Sequence, residues 1–510
     1  MLVRLQNHRF AEWTDKEDGS MSSSKTVVHG GEVVTTDGRI RADVLIVGER
    51  IQAVGLDENW LTDHAIAKID ASGCLLLPGG IDTHTHLQHM VASGNTRTAD
   101  DFYSGTVAAA CGGTTTIVDF VRRANGETIA ESFYRRRDEA DASCVIDFSF
   151  HPIVPSTAGE DDSFDELVKL SREEGVASWK FFMAYPGSMV EDDVLLEGFR
   201  LCAAEGVLPM VHAENGHIVA DSIARLIAEG RVAENEHLHG HPEGAEVEAV
   251  GRAILLAEHA GTPLFIVHVS SSRAATEVAR HRYAGAPVFA ETCPQYLVTS
   301  YEDYSELGFG AAGYACSPPI RERANQAGLW HAISTRAIDT MGTDHAAFTL
   351  SQPEDLPPQK SIGRGYFPSV PNGVPGVEER LMVLYQAGVV EERISLERFV
   401  ELTSTMPAKI FGLFPQKGVI APGSDADIVV WDTNAARRLS AETQHSRSDY
   451  SLYEGMTVSA TPKVVLSRGE IIAIDGEPAH IPVGQGRYLR RDLHALRKNG
   501  LVATTPQKGH

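Results

Sequence analysis

Two textures of hydrophobic and polar positions divide the chain. Near the N-terminus, short β-branched runs stand at Thr26-Val-Val, Glu32-Val-Val-Thr and Ala42-Asp-Val-Leu-Ile-Val, punctuated by Gly30-Gly31, Asp37-Gly38 and Gly48-Glu49-Arg50. Such runs between turn residues predict short strands and hairpins. The same texture returns at Asp425-Ala-Asp-Ile-Val-Val-Trp431 and Pro462-Lys-Val-Val-Leu-Ser-Arg-Gly469. Two β-rich ends around a long middle predict that the ends pair into one small β domain. In the middle, apolar runs such as Thr115-Thr-Ile-Val-Asp119, Leu208-Pro-Met-Val211, Pro263-Leu-Phe-Ile-Val267 and Pro287-Val-Phe-Ala290 alternate with stretches of helical spacing, among them 164–170 and 246–256. Strand–helix alternation over more than 300 residues predicts a parallel α/β architecture, and a (β/α)8 barrel fits the length. The expected organisation is a disordered extension over 1–24, a β-sandwich part over 25–75, the barrel over 76–415, a second β-sandwich part over 416–483 and a polar, basic tail over 484–510. The tail is expected to be loose or to extend over a neighbouring surface.

Charge and cysteine content narrow the function classes. The 510 residues carry a formal charge of −24, which argues against a nucleic-acid surface. No run of apolar residues is long enough for a membrane span. The first twenty residues hold Arg4, Arg9, Glu12, Asp15 and Lys16 without an apolar stretch, so no secretory leader is expected, and Met21 is an alternative start. The six cysteines lack paired CxxC spacing and read as reduced, buried thiols of a cytoplasmic protein.

The candidate chemistry lies at the ends of the apolar runs. In an α/β barrel the C-terminal tips of the strands form the active-site rim. His84-Thr-His86 follows Leu75-Leu-Leu-Pro-Gly-Gly-Ile-Asp82, and residues i and i+2 of a strand face one side, so both imidazoles can meet one ion. An HxH pair is weak evidence by itself. Lys180 stands among apolar and aromatic neighbours in Ala177-Ser-Trp-Lys-Phe-Phe182; taken alone, it reads more readily as half of an ion pair. His212 and His268 each end an apolar run, and Asp344 ends another. Four imidazoles, a lysine and an aspartate, each group at a strand tip, suit a pair of divalent ions that holds a hydroxide at neutral pH. A buried amine of depressed pKa reacts with carbon dioxide to a carbamate, whose two oxygens offer one to each ion.

Longer stretches around these residues carry a family resemblance. Pro78-Gly-Gly-Ile-Asp-Thr-His-Thr-His-Leu-Gln88 resembles the first metal motif of dihydropyrimidinases and D-hydantoinases of the amidohydrolase superfamily. Ser178-Trp-Lys-Phe-Phe-Met-Ala-Tyr185 resembles their carboxylated-lysine segment. Val211-His-Ala-Glu-Asn-Gly216, Ile266-Val-His-Val-Ser270, Glu291-Thr-Cys-Pro-Gln-Tyr296, Ser317-Pro-Pro-Ile-Arg321, Pro371-Asn-Gly-Val-Pro-Gly376 and Pro407-Ala-Lys-Ile-Phe-Gly412 follow in order. The resemblance spans about residues 25 to 490. It implies that His84, His86 and Asp344 bind one metal, that His212 and His268 bind a second, and that Lys180, as N6-carboxylysine, bridges both. It implies zinc, with manganese or cobalt as substitutes. It further implies Asp344 as the proton carrier of a metal-bridging hydroxide, Tyr185 as oxyanion donor, Ser317 and Asn372 as holders of the ring amide edges, and Phe182 beside the substituent pocket. The implied reaction opens a 5,6-dihydropyrimidine or 5-substituted hydantoin to the N-carbamoyl amino acid, in a homotetramer or homodimer whose tail crosses to a neighbour.

Relatives with other functions remain as alternatives. Dihydroorotases resemble this layout but carry an arginine where Gln88 stands, and allantoinases usually lack a tyrosine at the position of Tyr185. An allantoinase-like hydrolase of another cyclic imide stays as the alternative within the superfamily. A non-catalytic scaffold resembling the collapsin response mediators is disfavoured, because every ligand position here holds a competent residue. The loop His89-Met-Val-Ala-Ser-Gly94, expected to form part of the substrate gate, is more polar than in relatives. His237, His239 and His241 read as a solvated loop before a helix, and His345 equally as a hydrogen-bonding partner of the site or as packing. Cys293 is not expected to act as a nucleophile.

Overall fold

The computed structural model describes residues 24–91 and 96–502. The expected extension over 1–24 lies almost wholly outside the described residues, as do Ser93 of the polar loop and the last part of the tail.

The apolar runs of the middle become a closed barrel. Gly80–Thr85, Thr114–Val121 and Asp147–Pro152 pair in parallel, and so do Ser178–Phe182, Leu208–His212, Leu264–Ile266, Val288–Thr292 and Thr340–Met341. Two parallel bridges join these groups into one ring, Ile153 to Lys180 on one side and Thr85 to His345 on the other. Strands covered on both faces need apolar side chains on both, which is why these segments read as continuous runs rather than alternating ones. The helices between them, such as Ser163–Glu174 and Glu243–Ala260, lay Leu167, Leu170, Val250 and Ile254 on the outside of the barrel strands.

The chain ends meet in a second unit. Leu75–Pro78, which leads into the first barrel strand, pairs antiparallel with Ile428–Asp432 and parallel with Glu32–Thr35. This sheet has seven strands drawn from both ends of the chain, and a four-stranded sheet of Arg50–Gly55, Asp43–Val47, Lys25–His29 and Ile66–Asp70 packs on it. Val28, Val44, Ile46, Leu76, Ile428, Val430 and Leu466 fill the space between the two layers. The fold is therefore a (β/α)8 barrel with a small β-sandwich formed by the N- and C-terminal segments.

The described part of the tail differs from a loose extension. Residues 484–502 run along the N-terminal end of the same chain's barrel. Leu489 N–H donates to Phe148 O, Arg491 N–H to Gly175 O and Asp492 N–H to Gly412 O. Gly175 ends its helix at φ +69, and a Cβ there would stand 2.9 Å from the Arg491 nitrogen, so only glycine leaves room for the tail. The buried Arg491 guanidinium donates to Ser149 Oγ at 3.0 Å and Ser178 Oγ at 2.7 Å. A polar stretch can be held without an apolar stripe when its hydrogen bonds are this complete, and hydrophobic patterning does not report such a segment.

Candidate metal centre

The strand tips carry the candidate ligands into one cavity. His84 is on Gly80–Thr85 and His86 one residue past it, Lys180 lies on Ser178–Phe182, and His212 ends Leu208–His212. His268 lies just beyond Leu264–Ile266, and Asp344 just beyond Thr340–Met341. These six, with Phe182, Tyr185, Ser317 and Asn372, line a cavity of about 540 Å³ at the C-terminal rim. Tyr185, His268 and Asp344 have φ of 76, 39 and 53, a region that non-glycine residues seldom occupy. Such backbone survives only where the surrounding packing enforces it, and it concentrates at working sites.

The donor atoms form two groups. His84, His86 and Asp344 present ligand atoms within 4.8 Å of one another. His84 Nε2 stands 3.2 Å from Asp344 Oδ1 and His86 Nε2 3.1 Å from it, yet His84 Nε2 is buried without a hydrogen-bond partner. Close approach without hydrogen-bond geometry suits nitrogens aimed at a shared ion. On the other side, His212 Nδ1 and His268 Nε2 converge to 2.9 Å. Lys180 is 1% exposed, and its side-chain ammonium makes no hydrogen bond or ion pair among the described residues, although its backbone carbonyl accepts from Val154 N–H. Its Nζ faces the rings of Phe120 and Phe182 at 5.0 and 5.2 Å. The ion-pair reading of Lys180 thus finds no partner, and burial pushes its pKa down to about 7, where a neutral amine is accessible.

The charges on this rim also suit a cation. Burial works to raise the Asp344 pKa, but His84 and His86 outweigh it and hold the carboxyl well below the usual range. Burial works against a charged His84, but Asp344 and Glu291 together carry its pKa up to about 9. The donor set of imidazoles, a carboxylate and a carbamylatable amine therefore fits two divalent ions.

Several residues outside the expected ligand set hold the candidate ligands in place. Glu291 Oε1 lies 2.6 Å from His84 Nδ1, which fixes Nε2 toward Asp344. Gly342 permits this, since a Cβ there would stand 2.5 Å from Glu291 Oε2. Buried Glu214 meets His212 Nε2 at 3.0 Å and His241 Nδ1 at 3.1 Å, and accepts from the Tyr185 hydroxyl at 3.3 Å. His237 and His241 are 4% and 2% exposed, in and just after the short helix His237–Gly240, and His237 Nε2 lies 2.8 Å from Cys316 O. The expectation of a solvated loop is corrected for His237 and His241, while His239 alone is exposed: the flanking Gly and Pro marked a turn, but the Cys316 carbonyl and the Glu214 carboxylate draw the two outer imidazoles inward. His345 is a hydrogen-bonding partner, with Nε2 3.0 Å from Asp100 and Nδ1 accepting from Gly376 and Val377. Asn372 Nδ2 donates to Ser317 Oγ at 2.9 Å, and the Lys360 ammonium donates to Ala315 O and Pro371 O, tying together the two loops that carry them. The six cysteines are buried and unpaired. A signal for Glu291 and Glu214 was present, since each stands at or just past the end of an apolar run, but the partner of each became visible only in space.

A model of the amidohydrolase family matches residues 75–472. The chain belongs to the amidohydrolase family. Among its relatives, a D-hydantoinase of Streptomyces coelicolor is 44% identical over 92% of this chain and 100% of its own length. A D-hydantoinase of Geobacillus stearothermophilus is 41% identical over 91% of this chain and 96% of its own. The crystal structure of dihydropyrimidinase from Brevibacillus agri superposes with a TM-score of 0.87 at 41% identity, covering 92% of this chain and 99% of that one. Among the described residues no helix is long and apolar enough to cross a membrane.

Proposed function

We propose that this amidohydrolase opens cyclic amide rings, 5-substituted hydantoins or 5,6-dihydropyrimidines, to the corresponding N-carbamoyl amino acids. The observation that carries the reading is the convergence of His84, His86 and Asp344 with His212, His268 and an unpaired buried Lys180 at one barrel rim. The similarity to D-hydantoinases over nearly the whole chain supports the substrate class.

Two divalent ions, zinc or in its place manganese or cobalt, would be held by His84, His86 and Asp344 and by His212 and His268, with Lys180 as its carbamate between them. When bound, such a pair supplies an activated water and polarises the ring carbonyl. Asp344 accepts a proton from the attacking water and returns it to the ring nitrogen as the C–N bond breaks. The Tyr185 hydroxyl donates to the oxyanion that develops on the carbonyl oxygen; burial and Glu214 raise its pKa well above the ordinary phenol value, so it stays a donor. Asn372 and Ser317 hold the ring amide edge from the opposite wall, and Phe182 contacts the ring substituent. The unpaired thiols fit a cytoplasmic enzyme. A homotetramer or homodimer follows from the resemblance and is checked by light scattering.

The test is ring opening by zinc-loaded protein of 5-phenylhydantoin and of dihydrouracil, read as loss of the ring amide. Turnover of either, abolished by chelation and restored by zinc, is expected. Absence of turnover of both with two metals bound per chain would overturn the substrate assignment.

A further inference from the structure

We propose that the preferred substrate carries a carboxylate at the end of its ring substituent, and that Arg122 binds it. This rests on the cyclic-amidase reading above and names its substrate class.

Arg122 immediately follows the strand Thr114–Val121, so it leaves the barrel at the same rim as the candidate ligands. It lines the same cavity, next to Phe182 and Ser188. Its guanidinium carbon lies 5.7 Å from the centroid of the Phe182 ring, and that ring stacks on His212 at 5.3 Å. The group is therefore separated from the metal centre by one aromatic ring. Nη1 donates to Ser188 Oγ at 2.9 Å, while Nε is buried with no acceptor.

No carboxylate pairs with Arg122 among the described residues, although acids are near in sequence and space. Asp161 is taken by the adjacent Arg123, and Glu127 by Arg135 and Ser132. A half-buried guanidinium without an anion is costly, and burial lowers its pKa from the usual value. Its planar fork, held at one end by Ser188, presents donors that match a carboxylate in two parallel hydrogen bonds. Phe182, Phe348 and Ile362 line the cavity nearby and suit the apolar stem of such a substituent. Arg122 also borders a second cleft of about 310 Å³, so an inorganic anion held there is the competing occupant.

The experiment compares kcat/KM of the zinc-loaded enzyme for 5-(2-carboxyethyl)hydantoin and its neutral isostere 5-(2-carbamoylethyl)hydantoin, with 5-phenylhydantoin as reference. The expected result is a preference for the carboxylate of about 10- to 100-fold, chiefly through KM, the range of a charge-assisted hydrogen bond. Arg122→Gln should collapse that ratio toward one, and Arg122→Lys should retain part of it. Equal turnover of the two isosteres would overturn the proposal. So would an unchanged ratio in Arg122→Gln, which would assign the guanidinium to an inorganic anion in the second cleft. A uniform loss on all three substrates in both variants would make Arg122 structural and overturn it as well. Opening of 5-phenylhydantoin without carboxylate preference defeats this inference alone, whereas no opening of any ring defeats the amidase reading beneath it.

Discussion

Lys180 and Tyr185 are five residues apart, and each depends on burial in a different way. For Lys180, burial without a counter-ion makes the neutral amine accessible, which carbamate formation requires. Lys180→Ala is expected to lose most bound metal and activity, with partial rescue by short carboxylic acids that replace the carbamate oxygens. Metal analysis with and without acetate checks this, and full activity of the unrescued variant would end the proposed bridging role. For Tyr185, burial beside Glu214 keeps the phenol protonated and aimed from a left-handed backbone. Tyr185→Phe should lower kcat by about 10²–10³, the usual cost of losing one oxyanion donor. An unchanged kcat at constant metal content would remove the residue from the mechanism.

At the scale of elements, the site depends on how loops are tied to one another. The Lys360 ammonium is fully buried and donates at 3.1 Å to both Ala315 O and Pro371 O. These carbonyls stand just before Ser317 and Asn372, so this side chain, together with the Gly373 N–H that also donates to Ala315 O, sets the spacing of the proposed ring clamp. Lys360→Met leaves both carbonyls short of a donor, at a cost of about 1–3 kcal/mol. The expected outcome is a lower Tm and a raised KM with a smaller change in kcat. A lowered Tm with KM unmoved would show that the loops hold their spacing without it. The tail follows the same logic at the opposite end of the barrel, where Arg491 satisfies Ser149, Ser178 and the carbonyl of Phe150. Arg491→Ala should destabilise the fold by about 2–4 kcal/mol, because it strands a network at the base of the strand that bears Lys180. Denaturant unfolding measures this, and a loss under about 0.5 kcal/mol would show that the tail is held by its backbone alone.

At the scale of the molecule, stability carries a pH dependence from a buried acid outside the catalytic rim. Burial, reinforced by the neighbouring Glu378 carboxylate, pushes the Glu379 pKa from 4.5 up to about 7. Because the folded value lies above the unfolded one, the protonated form favours the fold. That contribution is fully present below about pH 4.5 and is lost as pH rises through about 7. Glu379→Gln, which is neutral throughout, should flatten the decline in stability between pH 5 and pH 8. Chemical denaturation at both pH values tests this, and an equally steep decline in the variant would assign it to other groups.

The sequence by itself determined the barrel, the sandwich at its side and the tips where His84, His86, Lys180, His212, His268 and Asp344 stand. Parallel strands covered on both faces must be apolar throughout, so a polar residue at the end of such a run marks a rim position without any knowledge of neighbours. Tertiary structure alone decided the supports and the occupants of the cavity wall. Glu214 meets His241 at a sequence separation of 27, Glu291 meets His84 at a separation of 207, and Lys360 ties two loops by their carbonyl oxygens. Hydrogen bonds of this kind leave no periodicity, because one partner is backbone or lies on another element. The same holds for Arg122, whose importance lies in lacking a partner, and that is a property of the folded surroundings rather than of any run of residues.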